Sequence, residues 1–190
     1  MKNILTAFLM LLTVIAAGAQ YVYSTDHAVI SFFSSAPLED IKATSNAGSA
    51  AIDAQTGSVY VKVQIRSFRF RKSLMQEHFN EKYMESDKYP YAEFKGKIVE
   101  DIGPLKDGEY AVTVRGNLDI HNVIKEYTVK VALKLTGEKM LASSTFNIRL
   151  ADHKIRIPTI VTRNIAEIIE VSISGILIAR VGQKPEKSHE

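Results

Sequence analysis

The sequence predicts an all-β fold: an antiparallel β-barrel or sandwich of about eight strands with one inserted α-helix. Three observations predict it. Apolar and polar residues alternate along most of the chain, turn-forming residues separate the alternating runs, and a single stretch carries apolar residues at helical spacing. Short strands at close spacing favour a closed barrel or a sandwich over an α/β fold. With 190 residues, 46% of them hydrophobic, the chain suits one domain with a sizeable core.

Residues 1–19 have the features of a secretory signal peptide. Lys2 gives a positive start, the run Ile4–Ile15 is apolar apart from two threonines, and Ala17-Gly18-Ala19 offers the small-x-small pattern that a signal peptidase needs. We therefore expect cleavage before Gln20 and a mature protein in the periplasm or outside the cell. The apolar run is too short for a permanent membrane anchor, and no second long apolar run follows it.

The rest of the chain divides into one domain and a short tail. Residues 20–181 contain the alternating runs and the helical stretch without an internal repeat or linker, so we expect them to form the barrel domain. Residues 182–190 are polar and charged, which predicts a flexible tail. The chain contains no cysteine, which excludes disulfides, cysteine nucleophiles and thiolate metal sites.

The first predicted strands precede the helical stretch. Ile30 and Phe32 indicate a strand near the mature N-terminus, and Ser49–Asp53 a short one after it. The clearest alternation follows the turn signal Gln55-Thr56-Gly57 and runs over Val59–Arg66. Four apolar residues of this run share one face: Val59, Val61, Val63 and Ile65.

The remaining predicted strands follow the helical stretch. Ala92–Ile98 alternates, and Tyr110–Ile120 and Tyr127–Leu135 together predict a long antiparallel hairpin with a short connection at His121–Ile124. Further alternating runs lie at Thr145–Leu150 and Ile169–Ile178, and glycine-containing turn signals separate the strands at Gly103-Pro104, Asp107-Gly108 and Gly137-Glu138.

The stretch Ser73–Ser86 has helical periodicity instead. Its apolar residues pair at four-residue spacing: Leu74 with His78, Met75 with Phe79, and Phe79 with Tyr83. Ser73 is expected to cap the helix, and Tyr89-Pro90 to stop it. Such a helix is either a lid over one barrel mouth or a cover for one face of the sheet, and the sequence leaves both roles open.

The charge pattern argues against a nucleic-acid partner. The formal net charge is +3, and lysines and arginines are interspersed with acidic residues, as on a solvated surface. The nearest approach to a basic cluster is Arg66, Arg69, Arg71 and Lys72, interleaved with Phe68 and Phe70, which indicates a rim of the barrel.

Motifs for catalysis, metals and cofactors are absent from the sequence. The five histidines form no HxH or HExxH pattern, and there is neither a Gly-x-Ser-x-Gly elbow nor a phosphate-binding Gly-Lys-Ser/Thr loop. We expect no enzyme, no cofactor and no metal. Two alternatives stay open: a barrel hydrolase or isomerase using His121 or His153 with Asp119 or Asp152 at the rim, or a structural protein with a dry core.

The inner face of the predicted barrel is uniformly apolar. A barrel of about eight strands can enclose one small ligand, and a Val, Ile, Leu and Phe lining suits an isoprenoid or acyl chain better than a sugar or nucleotide. Ten residues are predicted to line the interior: Phe32, Val61, Val63, Phe94, Leu118, Ile120, Val129, Val131, Phe146 and Ile148. Five more are predicted to line the mouth or lid: Phe68, Phe70, Leu74, Met75 and Phe79.

Three stretches together resemble the YceI-like family. They are Tyr23–Phe32, similar to the opening D-x-x-H-S-x-I-x-F; Glu77–Phe94, similar to the family's helical insertion with its Lys-Tyr-Pro ending; and Gly116–Lys125, similar to the G-x-L-x-I-H-G-x-x-K hairpin. The sequence has Ala28 for the usual Ser, Asn122 for the usual Gly, and Arg69, Arg71 and Lys72 where many members carry an Arg-Asp pair.

The resemblance implies an extended, lipocalin-like antiparallel barrel that holds a polyisoprenoid chain, often in an exported protein and often as a homodimer. It implies no catalytic residues. From it and from the apolar interior we expect an exported lipid-binding protein that sequesters or transports a polyisoprenoid or isoprenoid-quinone-like ligand.

Overall fold

A computed structural model describes residues 21–35, 40–101, 103, 105–156 and 166–181. The predicted signal peptide and C-terminal tail lie outside the described residues. The strands are β1 (Tyr21–Ser34), β2 (Ile41–Asp53), β3 (Ser58–Gln64), β4 (Arg69–Phe70), β5 (Tyr91–Ile98), β6 (Gly108–Ile120), β7 (Val123–Thr136), β8 (Lys139–Arg149) and β9 (Ile168–Val181). Helix α1 (Ser73–His78) continues into a π-helical turn, Phe79–Tyr83, and 3₁₀ turns cover Ile65–Ser67 and Leu150–His153.

Eight long strands close into a barrel. Their order is β1-β9-β8-β7-β6-β5-β3-β2, every neighbouring pair is antiparallel, and β1 pairs with β2 to complete the ring. The two-residue strand β4 adds to β2 through Ala43–Phe70 and Thr44–Arg69. Closure leaves no long unpaired strand edge in the ring, which is how barrels avoid edge-to-edge association. The predicted antiparallel barrel with an inserted helix is therefore confirmed.

The two ends of the barrel differ in what joins the strands. At one end, which we call the helix end, lie helix α1, the turn between β6 and β7 and the 3₁₀ turn after β8. At the far end lie the tight turns at Ala54–Gly57 and Gly137-Glu138. The insertion between β3 and β5 therefore covers one mouth of the barrel, which is the lid position, one of the two roles that the sequence left open.

Several local predictions need correction. Strands β1 and β2 are much longer than the sequence indicated, because β-bulges near Ala28 break their period-two pattern. Strand β3 ends at Gln64, so Ile65 lies in a 3₁₀ turn rather than on the strand. Ser73 is the first helical residue and Lys72 occupies the N-cap position, so the predicted serine cap is wrong.

The β6–β7 hairpin turns more tightly than predicted. Only His121 and Asn122 lie between the strands, with φ of 56° and 58°, because β7 already begins at Val123. Positive φ at both central residues is the backbone of a type I′ turn, whose twist matches that of the paired strands. This short turn sets the register Ile120–Val123 and, through it, which residues of both strands face inward.

The far half of the barrel is filled with packed side chains. Val112, Val114, Met140 and Leu177 are at most 2% exposed there. Gly96 and Gly116 face each other across β5 and β6, where a Cβ on Gly116 would lie 2.4 Å from the Gly96 Cα. The two strands therefore approach closely on their inner face, as glycine within a strand permits.

Candidate ligand-binding cavity

A cavity of about 400 Å³ occupies the helix end of the barrel. This volume lies within the range of small-molecule sites in proteins. Strands β1, β3, β5, β6, β8 and β9 supply its walls, and helix α1 lies over it. The lining is almost wholly apolar because the inward positions of these strands are Val, Ile, Leu and Phe.

Four phenylalanines cluster at the helix end of this cavity. Phe79 from the helical insertion lies 5.0 Å from Phe70, 5.5 Å from Phe32 and 5.8 Å from Phe68, measured between ring centroids. Phe32 also contacts Phe68 at 5.4 Å and Phe70 at 5.8 Å. Aromatic pairs at these separations attract one another beyond their simple burial. The cluster thereby fixes the helical insertion to β1 and β4 and forms an apolar entrance.

Helix α1 carries apolar side chains from the cavity to the surface. Leu74 lines the cavity and is 58% exposed, so the cavity extends to the protein surface beside the helix. The Phe70 backbone N–H of β4 donates to Gln76 Oε1 at 3.4 Å, which joins the insertion to the sheet, and within the insertion Asn80 Nδ2 donates to the Gln76 carbonyl at 2.9 Å. No residue of α1 is buried, so its attachment is light.

A few polar residues border the cavity. They are Ser31, Ser34, His78, Tyr83 and Glu93. The Glu93 carboxylate accepts hydrogen bonds from Lys62 Nζ at 2.9 Å and Lys95 Nζ at 3.0 Å, and these two contacts lower the pKa of Glu93. The ion pairs join outward-facing residues of β3 and β5, so the charge is satisfied outside the apolar space.

A second, smaller cavity lies deeper in the barrel. Its volume is about 60 Å³, and small residues such as Ala28, Ala50 and Ala142 line part of it. Four residues line both cavities and so stand between them: Val61, Phe94, Phe146 and Ile173. The barrel is therefore hollow towards the helix and packed towards the far end, which disagrees with the alternative of a dry core.

All fifteen residues predicted to line the interior or mouth border one of these cavities. Thirteen line the larger one: Phe32, Val61, Val63, Phe68, Phe70, Leu74, Met75, Phe79, Phe94, Leu118, Ile120, Phe146 and Ile148. Val129 and Val131 line the smaller one. That any of them contacts a ligand stays a prediction.

Other lining residues were not among those predicted for the interior. They include Ile30, Ile41, Ile65, Met84, Leu150, Ile155, Ile169, Val171 and Ile173. Strand parity could have identified four of them, because Ile30 shares its face with Phe32, and Ile169, Val171 and Ile173 alternate on one strand. Ile41, Leu150 and Ile155 lie at strand ends and turns, where no periodicity points inward.

The two histidines of the enzyme alternative do not form the pairs predicted for them. His121 Nε2 donates to Glu85 Oε2 at 2.9 Å and packs its ring edge-on against Tyr89. His153 is fully buried, donates from Nδ1 to the Val123 carbonyl at 2.9 Å, and contacts the Tyr127 hydroxyl at 3.1 Å. Among the residues that line the two cavities neither histidine occurs.

Metal-ligand clusters and membrane-spanning helices were sought in the described part of the chain. No group of three or more histidine, aspartate or glutamate side chains is placed to hold a metal ion there. In the same residues, no helix is both long enough and apolar enough to cross a bilayer.

The fold and the cavity define a lipocalin-like barrel, a class whose members enclose an apolar space within an antiparallel sheet. The chain belongs to the YceI-like family, since the model of the YceI-like domain matches residues 21–176. This membership supports a lipid- or isoprenoid-binding role and favours a binding protein over an enzyme.

Solved structures show the same fold at low sequence identity. A polyisoprenoid-binding domain from Saccharophagus degradans, implicated in plant cell wall breakdown, superposes with a TM-score of 0.71 at 16% identity, over 85% of this chain and 99% of that one. Burkholderia cenocepacia BcnA gives 0.66 at 18% identity, over 79% and 95%. The Campylobacter jejuni YceI protein gives 0.60 at 19% identity, over 77% and 88%. No curated protein matches the chain.

Proposed function

We propose that the chain is an exported carrier that holds one long apolar ligand, polyisoprenoid or isoprenoid-quinone-like, in the cavity at the helix end. The observation that carries the proposal is the 400 Å³ apolar cavity beneath helix α1. The name of the Saccharophagus degradans neighbour, a polyisoprenoid-binding domain, supports the same ligand class. The carrier would sequester or transport its ligand through water after removal of residues 1–19.

The energetics favour retention of an apolar chain. Burying one methylene group contributes about 0.8 kcal/mol, so roughly a dozen such groups contribute about 10 kcal/mol before association costs are subtracted. A polar ligand would lose its hydrogen bonds to water in this cavity and regain few of them, because few polar groups border it and Glu93 already has two lysine partners.

Native mass spectrometry of the secreted protein tests this function. We expect either a co-purified lipid that organic extraction releases or uptake of offered farnesol by the ligand-free protein. The variant Val63→Trp, which fills the cavity, should abolish uptake, whereas Thr128→Trp on the outer face of β7 should not. A folded, ligand-free wild-type protein that takes up no isoprenoid would contradict the carrier function. N-terminal sequencing of the same material, starting at Gln20, checks the predicted cleavage.

We also propose that two copies of the chain pair through the outer face of β8 and β9. Leu141 and Ile176 face each other across these strands and are 48% and 58% exposed. Along β9 the outward residues between Glu170 and Arg180 are uncharged. A two-fold axis crossing the middle of β9 would bring Arg180 of each copy near Glu170 of the other, as a self-complementary interface requires.

Light scattering after size-exclusion chromatography measures this association. We expect a dimeric mass for the wild type and a monomeric mass for Leu141→Glu, while Lys97→Glu on the outer face of β5, across the ring from β8 and β9, remains dimeric. A monomeric wild-type protein at the concentrations used for ligand binding would exclude the pairing.

A further inference from the structure

The partition between the two cavities is built from opposite walls of the barrel. Val61 and Phe94 face each other on the adjacent strands β3 and β5, and Phe146 and Ile173 lie on the adjacent strands β8 and β9. Two strands separate these pairs on each side of the ring, β6 and β7 on one side and β1 and β2 on the other. The four side chains therefore approach one another across the interior.

The glycines at mid-barrel position the ring of Phe94. A Cβ on Gly96 would lie 2.8 Å from Phe94 Cε1 and 2.9 Å from Cζ, so the ring extends along β5 and covers Gly96. Because Gly96 carries no side chain, the ring takes the space that an inward side chain would otherwise fill there. Phe94 is 8% exposed, and its place at the floor of the larger cavity follows from this packing.

Phe146 completes the floor from the other wall. Its ring contacts Tyr127 of β7 at 6.1 Å between centroids, in an edge-to-face arrangement. Below the two phenylalanines lie the 60 Å³ cavity and then the packed layer around Met140 and Leu177. A chain entering from the helix end therefore meets this floor halfway along the barrel.

The volume above the floor sets the length of chain that fits. A water molecule takes about 30 Å³ in the liquid, and a methylene group is of similar size, so 400 Å³ accommodates roughly a dozen carbon atoms. We infer that Phe94 and Phe146 act as a floor that limits the buried part of the ligand to this length, two to three isoprene units. This inference rests on the proposed carrier function and narrows its substrate class; longer chains project from the mouth.

A series of ligands of increasing chain length tests this inference separately from the carrier function on which it rests. The probes are linear primary alcohols that lengthen two carbons at a time, together with geraniol, farnesol and solanesol, measured by competition in native mass spectrometry. We expect affinity to rise about fourfold for each added carbon up to roughly a dozen carbons, and then to level off. Binding that keeps strengthening well beyond that length would overturn the floor but leave the carrier intact.

Two variants move the floor in opposite directions. Phe146→Ala should join the cavities and shift the levelling-off point at least one step towards longer alcohols, whereas Ile173→Phe should shift it towards shorter ones. Phe33→Ala removes an outward-facing, 38% exposed ring and should leave the point unchanged. Thermal melting confirms that each variant is folded. If the chain length at which affinity levels off is the same as in the wild type in both folded floor variants, the inference is overturned. If no probe of any length binds, the carrier function is overturned as well.

Discussion

The rings of His153 and Tyr127 stack within the described barrel, with planes 16° apart and centroids separated by 5.8 Å. Since His153 Nδ1 donates to the Val123 carbonyl, its Nε2 accepts the hydrogen bond from the Tyr127 hydroxyl. Both partners belong to β7, so the imidazole attaches the 3₁₀ turn after β8 to that strand. Burial lowers the pKa of His153 and raises the pKa of Tyr127, so both groups are uncharged in the folded protein at neutral pH.

His153 should make the fold sensitive to mild acid. In the folded protein the pKa of His153 lies below the ordinary value of about 6.5. When the pH falls below about 6.5, the unfolded chain therefore binds a proton on this imidazole before the folded protein does, which favours unfolding. We expect the free energy of unfolding to be highest above pH 6.5, where His153 is neutral in both states, and to decrease towards pH 5. Urea denaturation at several pH values measures this slope. In His153→Gln the slope should flatten, whereas Tyr127→Phe, which keeps the imidazole, should retain it; equal slopes in wild type and His153→Gln would contradict the assignment.

The glycine pair at mid-barrel should tolerate no side chain on β6. In Gly116→Ala the new Cβ would lie 2.4 Å from both the Gly96 Cα and the Lys95 carbonyl oxygen, which are backbone atoms that cannot rotate away. We expect the free energy of unfolding to fall by about 1–3 kcal/mol or more, as overpacking does. Gly175→Ala is the matched control, because its nearest contact is 3.5 Å away at the Thr25 methyl. Urea titration that finds the two variants equally stable would contradict the close approach.

The β6–β7 turn makes a different demand on backbone conformation. Asn122 has φ of 58°, a region that asparagine tolerates and glycine prefers. We expect Asn122→Gly to unfold at the same or a higher urea concentration, and Asn122→Val to lose about 1–2 kcal/mol because a branched Cβ is strained there. Asn117→Val, at an exposed position within β6, controls for the change of side chain. If Asn122→Val proved as stable as the wild type, the turn would have to adopt another conformation.

Strand parity explains why much of the barrel could be predicted from the sequence. Period-two alternation identifies Val61, Val63, Leu118 and Ile120 as inward residues, and the structure places all four on the cavity wall. Parity fails where the strand is irregular: the bulges near Ala28 shift the register of β1 against both neighbours, which hid the length of β1 and β2.

Depth along the barrel is a second property that alternation does not encode. Val114 and Leu118 share a face of β6, yet Val114 lines the smaller cavity and Leu118 the larger. Whether an inward residue lines a cavity depends on the side chains that face it across the barrel. For β6 these side chains come from strands that are distant in sequence, so the alternation within β6 gives no information about them. The sequence could not predict the floor at Phe94 for the same reason, since the position of the Phe94 ring depends on Gly96 and on the approach of Gly116.

Phe79 should control both the order of the helical insertion and the escape of a bound ligand. It contacts Phe32, Phe68 and Phe70, so Phe79→Ala removes the centre of the aromatic cluster. Because Phe79 is only partly buried, we expect a loss of stability smaller than the about 3–5 kcal/mol of a fully buried phenylalanine. Hydrogen exchange should accelerate over residues 73–83 while β6 and β7 stay protected, and bound farnesol should dissociate faster. Glu77→Ala, an exposed change on the same helix, is the control; unchanged exchange in Phe79→Ala would mean that the insertion is held by other contacts.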